Sequence, residues 1–260
     1  MNNPKPVFIA DTCIGGLSVV KSMWGSGHAS NAFFMADYEV NPLGVKNDAA
    51  IAETVNRWLG LAKEHSDTMV IACNTLSIRY HQLPSSKINS SGLKQIVSMV
   101  DCFEAMIKIE ADKLANRKIL IIGTEFTASQ SLYPDMLDVV IPGIRANTVA
   151  ATELERRIAW FLPWDSRDDS VLTNELRQAI EDSDIAVLAC TCFPMARAEL
   201  DSRFPGVMFM DPGAYCSGLL DEDSNRQERK LSVIIKGDVV SRTRVTEFAK
   251  TYLGSDFTEI

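Results

Sequence analysis

Met69-Val70-Ile71-Ala72-Cys73-Asn74-Thr75 is a short apolar run that stops on a thiol, an amide and a hydroxyl. Such a run, ahead of a helix-compatible segment, reads as a buried parallel strand that delivers polar groups at its carboxyl end. In open α/β sheets ligands bind at that end. The pattern returns at Ile185-Ala186-Val187-Leu188-Ala189-Cys190-Thr191-Cys192. Two strands that each end Ala-Cys, at 73 and 190, set the frame for the rest of the chain.

Outward from those strands, the chain alternates strand and helix signals, which is the grammar of an α/β fold. Val7 to Ala10 runs into Asp11-Thr12-Cys13-Ile14-Gly15-Gly16, and a helical pattern follows through Trp24. No G-x-G-x-x-G dinucleotide fingerprint is present there. Ala32 to Ala36 predicts a second strand before the turn Asn41-Pro42-Leu43-Gly44, and Asp48 to Lys63 an amphipathic helix. Gln95 to Val100 predicts a strand, Asp101 to Leu114 a helix, and Ile119 to Ile122 a strand that opens into Gly123-Thr124-Glu125-Phe126-Thr127-Ala128-Ser129. Val139 to Ile141 predicts a further strand, Ala151 to Phe161 and Asn174 to Glu181 helices, and Val207 to Met210 and Ser232 to Ile235 strands. Thr243 to Leu253 closes the pattern as a helix.

The two halves echo one another. A strand leading into Asp11 and one ending at Cys73 are followed, 112 and 117 positions later, by a strand leading into Gly123 and one ending at Cys190. Two similar α/β halves related by a pseudo-twofold would bring both Ala-Cys ends to one cleft.

Bulk properties narrow the function. With 260 residues the chain can form one large domain or two small ones, and 46% hydrophobic with 23% charged residues is ordinary for a soluble globular protein. A net charge of -8 argues against a nucleic-acid or anionic-membrane partner. No apolar run nears the roughly 20 residues that span a bilayer. Met1 to Pro6 carries no secretory pattern, so a cytoplasmic location with six reduced cysteines is expected. Cys13, Cys73, Cys102, Cys190, Cys192 and Cys216 include no C-x-x-C pair, so no metal is assigned. A four-thiolate cluster of Cys13, Cys73, Cys190 and Cys192 stays open as an alternative.

The cysteine pair suggests acid/base chemistry. A thiolate is favoured at a helix amino terminus, and both Cys73 and Cys190 are predicted where a strand gives way to a helix. Asn74, Thr75 and Thr191, with nearby backbone N–H groups, could hold a carboxylate without arginine. Two opposed acid/base groups facing one carbon are what stereoinversion requires: one thiolate removes a proton while the opposing thiol returns one to the other face. The plainer reading is a small buried core residue, and it suffices for Cys102 and Cys216.

The motifs resemble those of glutamate racemases in the cofactor-independent aspartate/glutamate racemase superfamily. Asp11-Thr12-Cys13-Ile14-Gly15-Gly16-Leu17-Ser18-Val19 is similar to D-S-G-V-G-G-L-S-V, Pro42-Leu43-Gly44-Val45-Lys46 to P-Y-G-x-K, and Cys73-Asn74-Thr75 to the first catalytic motif. Gly123-Thr124 with Thr127 and Ser129 resembles G-T-x-x-T-x-S, and Cys190-Thr191 most of C-T-H. Asp211-Pro212-Gly213-Ala214 and Gly237-Asp238 resemble features near the family's carboxyl end.

The resemblance implies two pseudo-symmetric, flavodoxin-like parallel-sheet α/β domains, 1–98 with 211–260 and 99–210, with the active site in the cleft between them. It implies no cofactor, Cys73 and Cys190 as the two bases, Asp11 assisting, and Glu153 (alternatively Glu155) as an acidic residue near the second cysteine. Substrate would be held by Thr12, Pro42, Leu43, Gly44, Asn74, Thr75, Thr124, Thr127, Thr191 and Cys192. The implied activity interconverts L- and D-glutamate for peptidoglycan synthesis. The implied partner is the small-molecule amino acid, with a homodimer left open.

Three departures surround the site. Cys192 replaces the family's histidine, Thr12-Cys13 replaces Ser-Gly, and Leu43 replaces tyrosine. They leave two alternatives: action on another small carboxylate such as aspartate, or a catalytically silent relative that binds a small acid or senses thiol oxidation.

Overall fold

The structure is a computed structural model that describes residues 5–28, 31–89, 92–165, 167–221, 229–238, 240–254 and 258–259. Residues 1–4 of the Met1 to Pro6 stretch lie outside the described residues, as does Ser166 in the loop after Pro163. Among the described residues no helix is long and apolar enough to cross a membrane.

Strands β1 (Val7–Asp11), β2 (Ala32–Asp37), β3 (Thr68–Ile71) and β4 (Gln95–Ser98) come from the first half. Strands β5 (Ile119–Gly123), β6 (Ala146–Ala150), β7 (Ile185–Leu188) and β8 (Met208–Met210) follow, then β9 (Lys230–Lys236) and β10 (Thr258–Glu259). The helices of the first half are α1 (Gly16–Gly25), α2 (Asp48–His65), α3 (Asn74–Gln82), α4 (Met99–Ile109) and α5 (Ala111–Leu114). They continue as α6 (Glu125–Ser129), α7 (Leu132–Val140), α8 (Thr152–Ala159), α9 (Asn174–Glu181), α10 (Arg197–Arg203) and α11 (Arg242–Leu253).

The strands form two wholly parallel sheets, ordered β10-β9-β2-β1-β3-β4 and β6-β5-β7-β8. Within them β2-β1-β3-β4 and β6-β5-β7-β8 have the same order. The repeat read from the Ala-Cys strand ends is thus a repeat of topology, with β3 equivalent to β7. One hydrogen bond is shared in detail. Ala72 N donates to Ala10 O and Ala189 N to Ile122 O, both at 2.8 Å. The residue before each cysteine is therefore pinned in the same way to the central strand of its sheet.

Helix covering explains the continuous apolar runs: all residues of β1, β5 and β7 are buried. Helix α2 buries Ile51, Val55, Trp58, Leu59 and Ala62, and Asn47 caps it by accepting from Ala50 N. One hydrophobic cluster takes in Ile9 and Val70 from the first sheet and Leu120 and Ala186 from the second. The halves are joined by core as well as by chain.

Two predicted boundaries differ. The strand expected over Gln95 to Val100 ends at Ser98, because Ser98 and Asp101 form a capping box that starts α4 at Met99. The strand expected at Val139 to Ile141 is absent. Leu132–Val140 is α7, with Tyr133 and Leu137 buried one turn apart while Val139 faces solvent. The edge strand is β6, four of whose five residues are partly or fully exposed, so its sequence lacks an apolar signature.

Candidate active site

Six strand ends converge on one cleft of about 500 Å³. The first sheet contributes Asp11, Thr12 and Cys13 after β1, the turn Asn41 to Val45 after β2, and Cys73, Asn74 and Thr75 after β3. The second contributes Thr124, Glu125, Phe126 and Ser129 after β5, Thr152 and Glu155 after β6, and Cys190 and Thr191 after β7. A second cavity of about 530 Å³, lined by Arg117, Lys118 and Arg145, lies at the opposite edge, where β5 begins. It gathers no cysteine, and ligands of open α/β sheets bind at carboxyl ends.

Cys73 and Cys190 are both 8% exposed. Cys73 is the residue before α3, and the backbone N–H of Leu76 hydrogen-bonds its sulfur. Burial, then the charge of Asp11, outweigh that bond and hold the Cys73 thiol well above its ordinary range. Thr12 Oγ1 lies 3.8 Å from Cys73 Sγ, within reach of a weak O–H···S bond. The expectation of a helix start after both cysteines holds only for Cys73. Cys190 leads into a 3-10 turn at Phe193–Ala196, Pro194 standing in that turn, and α10 begins only at Arg197.

Asp11 is 1% exposed and bridges the sheets. Its Oδ2 accepts from Thr191 Oγ1 at 2.8 Å and its Oδ1 from Thr12 N at 2.6 Å. Burial raises its pKa to about 6, the hydrogen bonds offsetting only part of that. Gly15 allows this approach: a Cβ there would lie 2.5 Å from Thr191 Oγ1 and 2.9 Å from Asp11 Oδ2. Gly44 likewise lets the Pro42-Leu43-Gly44 turn close on Phe126 from the other half.

Hydroxyls and amides supply the neutral polar groups. Thr75 Oγ1 and Thr124 Oγ1 are 3.2 Å apart across the cleft. Thr127 is 2% exposed, lies outside the lining, and accepts from Thr124 Oγ1 at 3.3 Å, so it supports Thr124 from behind. Tyr133 O–H donates to Asn74 Oδ1 at 2.8 Å, which aims the Asn74 amide N–H₂ away from that bond. Asn41 Nδ2 donates to Thr12 O at 2.9 Å. Tyr133 and Asn41 carry no motif signal of their own; Asn41 could have been found only through its neighbour Pro42.

The two candidate glutamates separate. Glu153 is outside the cleft lining and is ion-paired with Arg156 and Arg157, at 2.7 and 2.6 Å, which hold its pKa near 2. Glu155 lines the cleft, and burial with the Asp11 charge raises its pKa to about 7. Position 155, two residues on and so on the opposite side of α8, is the acid that faces the cleft.

Cys192 is 0% exposed and lies behind the lining, with its sulfur 3.4 Å from Cys13 Sγ. Two departures from the racemase motifs therefore meet in space. The hydrogen bonds that Cys192 makes to Cys13 and Cys190, then burial, push its thiol well up. For Cys13, the Cys192 hydrogen bond lowers the pKa, but burial and the charges of Asp11 and Glu155 carry it to about 11. Among the described residues Cys13, Glu155 and Cys192 have donor atoms within 4.8 Å of one another; Cys73 is not part of that group, unlike in the four-thiolate alternative.

No protein-family profile matches the chain. It is 27% identical over 215 residues to the glutamate racemase of Vibrio campbellii, covering 82% of this chain and 77% of that protein. It is 24% identical over 263 residues to that of Streptococcus sanguinis, covering 98% and 93%. The crystal structure of glutamate racemase from Campylobacter jejuni superposes with a TM-score of 0.73 at 23% identity, covering 95% of this chain and 98% of that one. The chain is similar to glutamate racemases along most of its length, and it has their fold.

Proposed function

We propose that this protein is an amino-acid racemase that interconverts L- and D-glutamate without a cofactor, with Cys73 and Cys190 as the two acid/base groups. The observation that carries this reading is the equivalence of β3 and β7: each ends in a cysteine, and both cysteines line one cleft. The curated relatives that the chain matches are named glutamate racemases.

In the forward direction one thiolate takes the α-proton while the opposite thiol delivers its proton to the other face of the carbon. The roles exchange in reverse. A buried thiol must first ionise, and a substrate ammonium group seated beside it favours that charge. Asp11, with a pKa near 6 and placed beside Thr12 and Thr191, stands where it can take up or return that proton. Thr75, Thr124, Thr191 and the Asn74 amide hold the carboxylates through neutral hydrogen bonds, since no basic side chain is among the cleft-lining residues described. Glu155 takes the acidic place beside Cys190 that Glu153 does not reach. D-Glutamate for peptidoglycan is the use this activity serves.

Leu43 is 3% exposed and turns an apolar side chain to the cleft beside Phe126, which favours a second reading: a racemase acting on another small carboxylate such as aspartate. One experiment separates the readings. The protein is incubated in D₂O with single L-amino acids, and α-deuterium and optical purity are followed together. Glutamate is expected to gain deuterium and lose chirality. Exchange confined to aspartate or another acid selects the second reading. Thermal stabilisation by these acids with no exchange would sink both and leave a silent small-acid-binding protein.

A further inference from the structure

Cys13, Glu155 and Cys192 bring two sulfurs and a carboxylate together from three separate segments. Cys13 follows β1, Cys192 follows β7, and Glu155 is on α8, so the group spans both sheets. The proposed racemisation uses neither Cys13 nor Cys192 as a base. All three donor atoms lie within 4.8 Å of one another, and the two sulfurs are 3.4 Å apart. In tetrahedral zinc, with Zn–S near 2.3 Å and Zn–O near 2.0 Å, S···S separations are about 3.8 Å and S···O separations about 3.5 Å. A shift of a few tenths of an ångström brings the two sulfurs to that separation, and turning the Glu155 side chain brings its carboxylate to the ion.

We propose that Cys13, Cys192 and Glu155 form a binding site for a soft divalent cation of the zinc class, which ties the two sheets together at the back of the cleft. The donor set is the one such ions take, thiolate with carboxylate, and it excludes hard cations such as magnesium. A route in exists, because Cys13 and Glu155 line the cleft while Cys192 stands behind them. An outer support exists too: Gly15 N donates to Cys13 Sγ at 3.5 Å, a bond that favours the thiolate. Binding forms two metal–sulfur bonds and one metal–oxygen bond, and releases the two thiol protons to solvent. The Cys190 thiol, which hydrogen-bonds Cys192, neighbours the group without belonging to it. A water in the fourth position completes the tetrahedron.

Cadmium is the probe, because thiolate ligation gives it an ultraviolet charge-transfer band and a ¹¹³Cd resonance that counts sulfurs. The full-length, reduced, metal-free protein is titrated with Cd²⁺, and circular dichroism checks that each variant folds. One Cd²⁺ per chain is expected, with band intensity for at least two thiolates. Cys13→Ser and Cys192→Ser should each cut the band by a third or more and weaken binding at least about tenfold. Cys102→Ser, in the separate buried pair with Cys216, should change neither. Should a cysteine variant fail to fold, Glu155→Gln keeps both sulfurs and is expected to move the ¹¹³Cd resonance and weaken binding. No band in the folded wild type overturns the site. So does a band unchanged in Cys13→Ser but lost in Cys190→Ser, which would put the ion on the cleft thiols, or an unmoved resonance in Glu155→Gln. The readout is ligation and not turnover, so it stands or falls independently of the racemase reading.

Discussion

The Asp11 carboxylate accepts the Thr191 hydroxyl at 2.8 Å, a bond that joins the end of the first sheet's central strand to the segment after β7. Removing the donor leaves a buried carboxylate with one partner fewer. Thr191→Val should therefore destabilise the protein by about 1–3 kcal/mol and raise the Asp11 pKa above 6. Thr191→Ser, which keeps the hydroxyl, should lose much less. Urea denaturation of both variants at pH 7 checks this; equal losses would mean that methyl packing, not the hydrogen bond, matters.

One buried and two half-buried carboxyl groups set a pH dependence of stability. Asp11 and Asp211 rise from 3.8 to about 6, and Glu155 from 4.5 to about 7, each chiefly through burial. A raised acid binds its proton more tightly when folded, so the native state holds more protons than the unfolded state between the two pKa values. The stability these groups contribute is full below about pH 4 and is lost as pH rises to about 7. Each shift of about two units corresponds to roughly 3 kcal/mol at most. Glu155→Gln should accordingly lose less stability than wild type between pH 5 and pH 7.5. Thermal melts at the two values would show it, and parallel losses would count against a raised Glu155.

Gly15 has no room for a side chain, since a Cβ would press on Thr191 Oγ1 and Asp11 Oδ2. Gly15→Ala is expected to separate that pair, cost about 1–3 kcal/mol through overpacking, and depress turnover. Gly25→Ala is the matched control, because nothing lies within 4 Å of a Cβ there. If the two glycine variants behaved alike in denaturation and assay, the close approach would be irrelevant.

Cys13 and Cys192 fill one space, so their substitutions should couple. Cys192→His alone introduces a ring against Cys13 Sγ and should destabilise by about 1–3 kcal/mol. Adding Cys13→Gly opens that space, and the double variant should recover at least about 1 kcal/mol relative to additivity. It should also raise glutamate turnover if the absent histidine limits proton transfer at Cys190. A double-mutant cycle by denaturation and a racemisation assay test the two halves of this expectation. Additive losses would mean that the residues do not compete for room.

Cys73→Ser and Cys190→Ser should each abolish racemisation, because inversion needs both faces of the carbon served. Near-normal turnover in either variant would falsify the two-base assignment. Circular dichroism melts within a few degrees of wild type would show that the loss is chemical.

Much of this was legible because the site-bearing strands are central and buried. Continuous short runs such as Val7 to Ala10 and Ile119 to Ile122 fit covered strands, and the Ala-Cys endings mark the equivalence of β3 and β7. Edge elements were less legible. β6 presents polar residues to solvent, so the apolar Val139 to Ile141 stood out instead, although it belongs to α7. Ser98 looked like part of a strand because a capping residue announces itself only through Asp101, three positions on. At the site, motif position put Glu153 near the cysteines, but helix phase decides which acid faces inward. Glu153 turns to Arg156 and Arg157, and Glu155 turns to the cleft. The meeting of Cys13 and Cys192, 179 positions apart, is contained in the sequence only within the four-thiolate alternative, whose Cys73 stands apart from them.

The unlike flanks of Cys73 and Cys190 have a kinetic consequence. Cys73 receives a backbone N–H at the start of α3, while Cys190 leads into a proline-containing turn with two further thiols close by. The two faces are therefore served by thiols in unlike surroundings, although the two enantiomers of an amino acid have equal free energies. Thermodynamics then forces kcat/KM to be the same in both directions. The asymmetry can emerge only as a matched inequality in which the slower direction also binds its substrate more tightly. A protein with this lopsided pair would turn over both hands at one rate at low concentration and favour one direction only near saturation, while leaving the racemic equilibrium untouched.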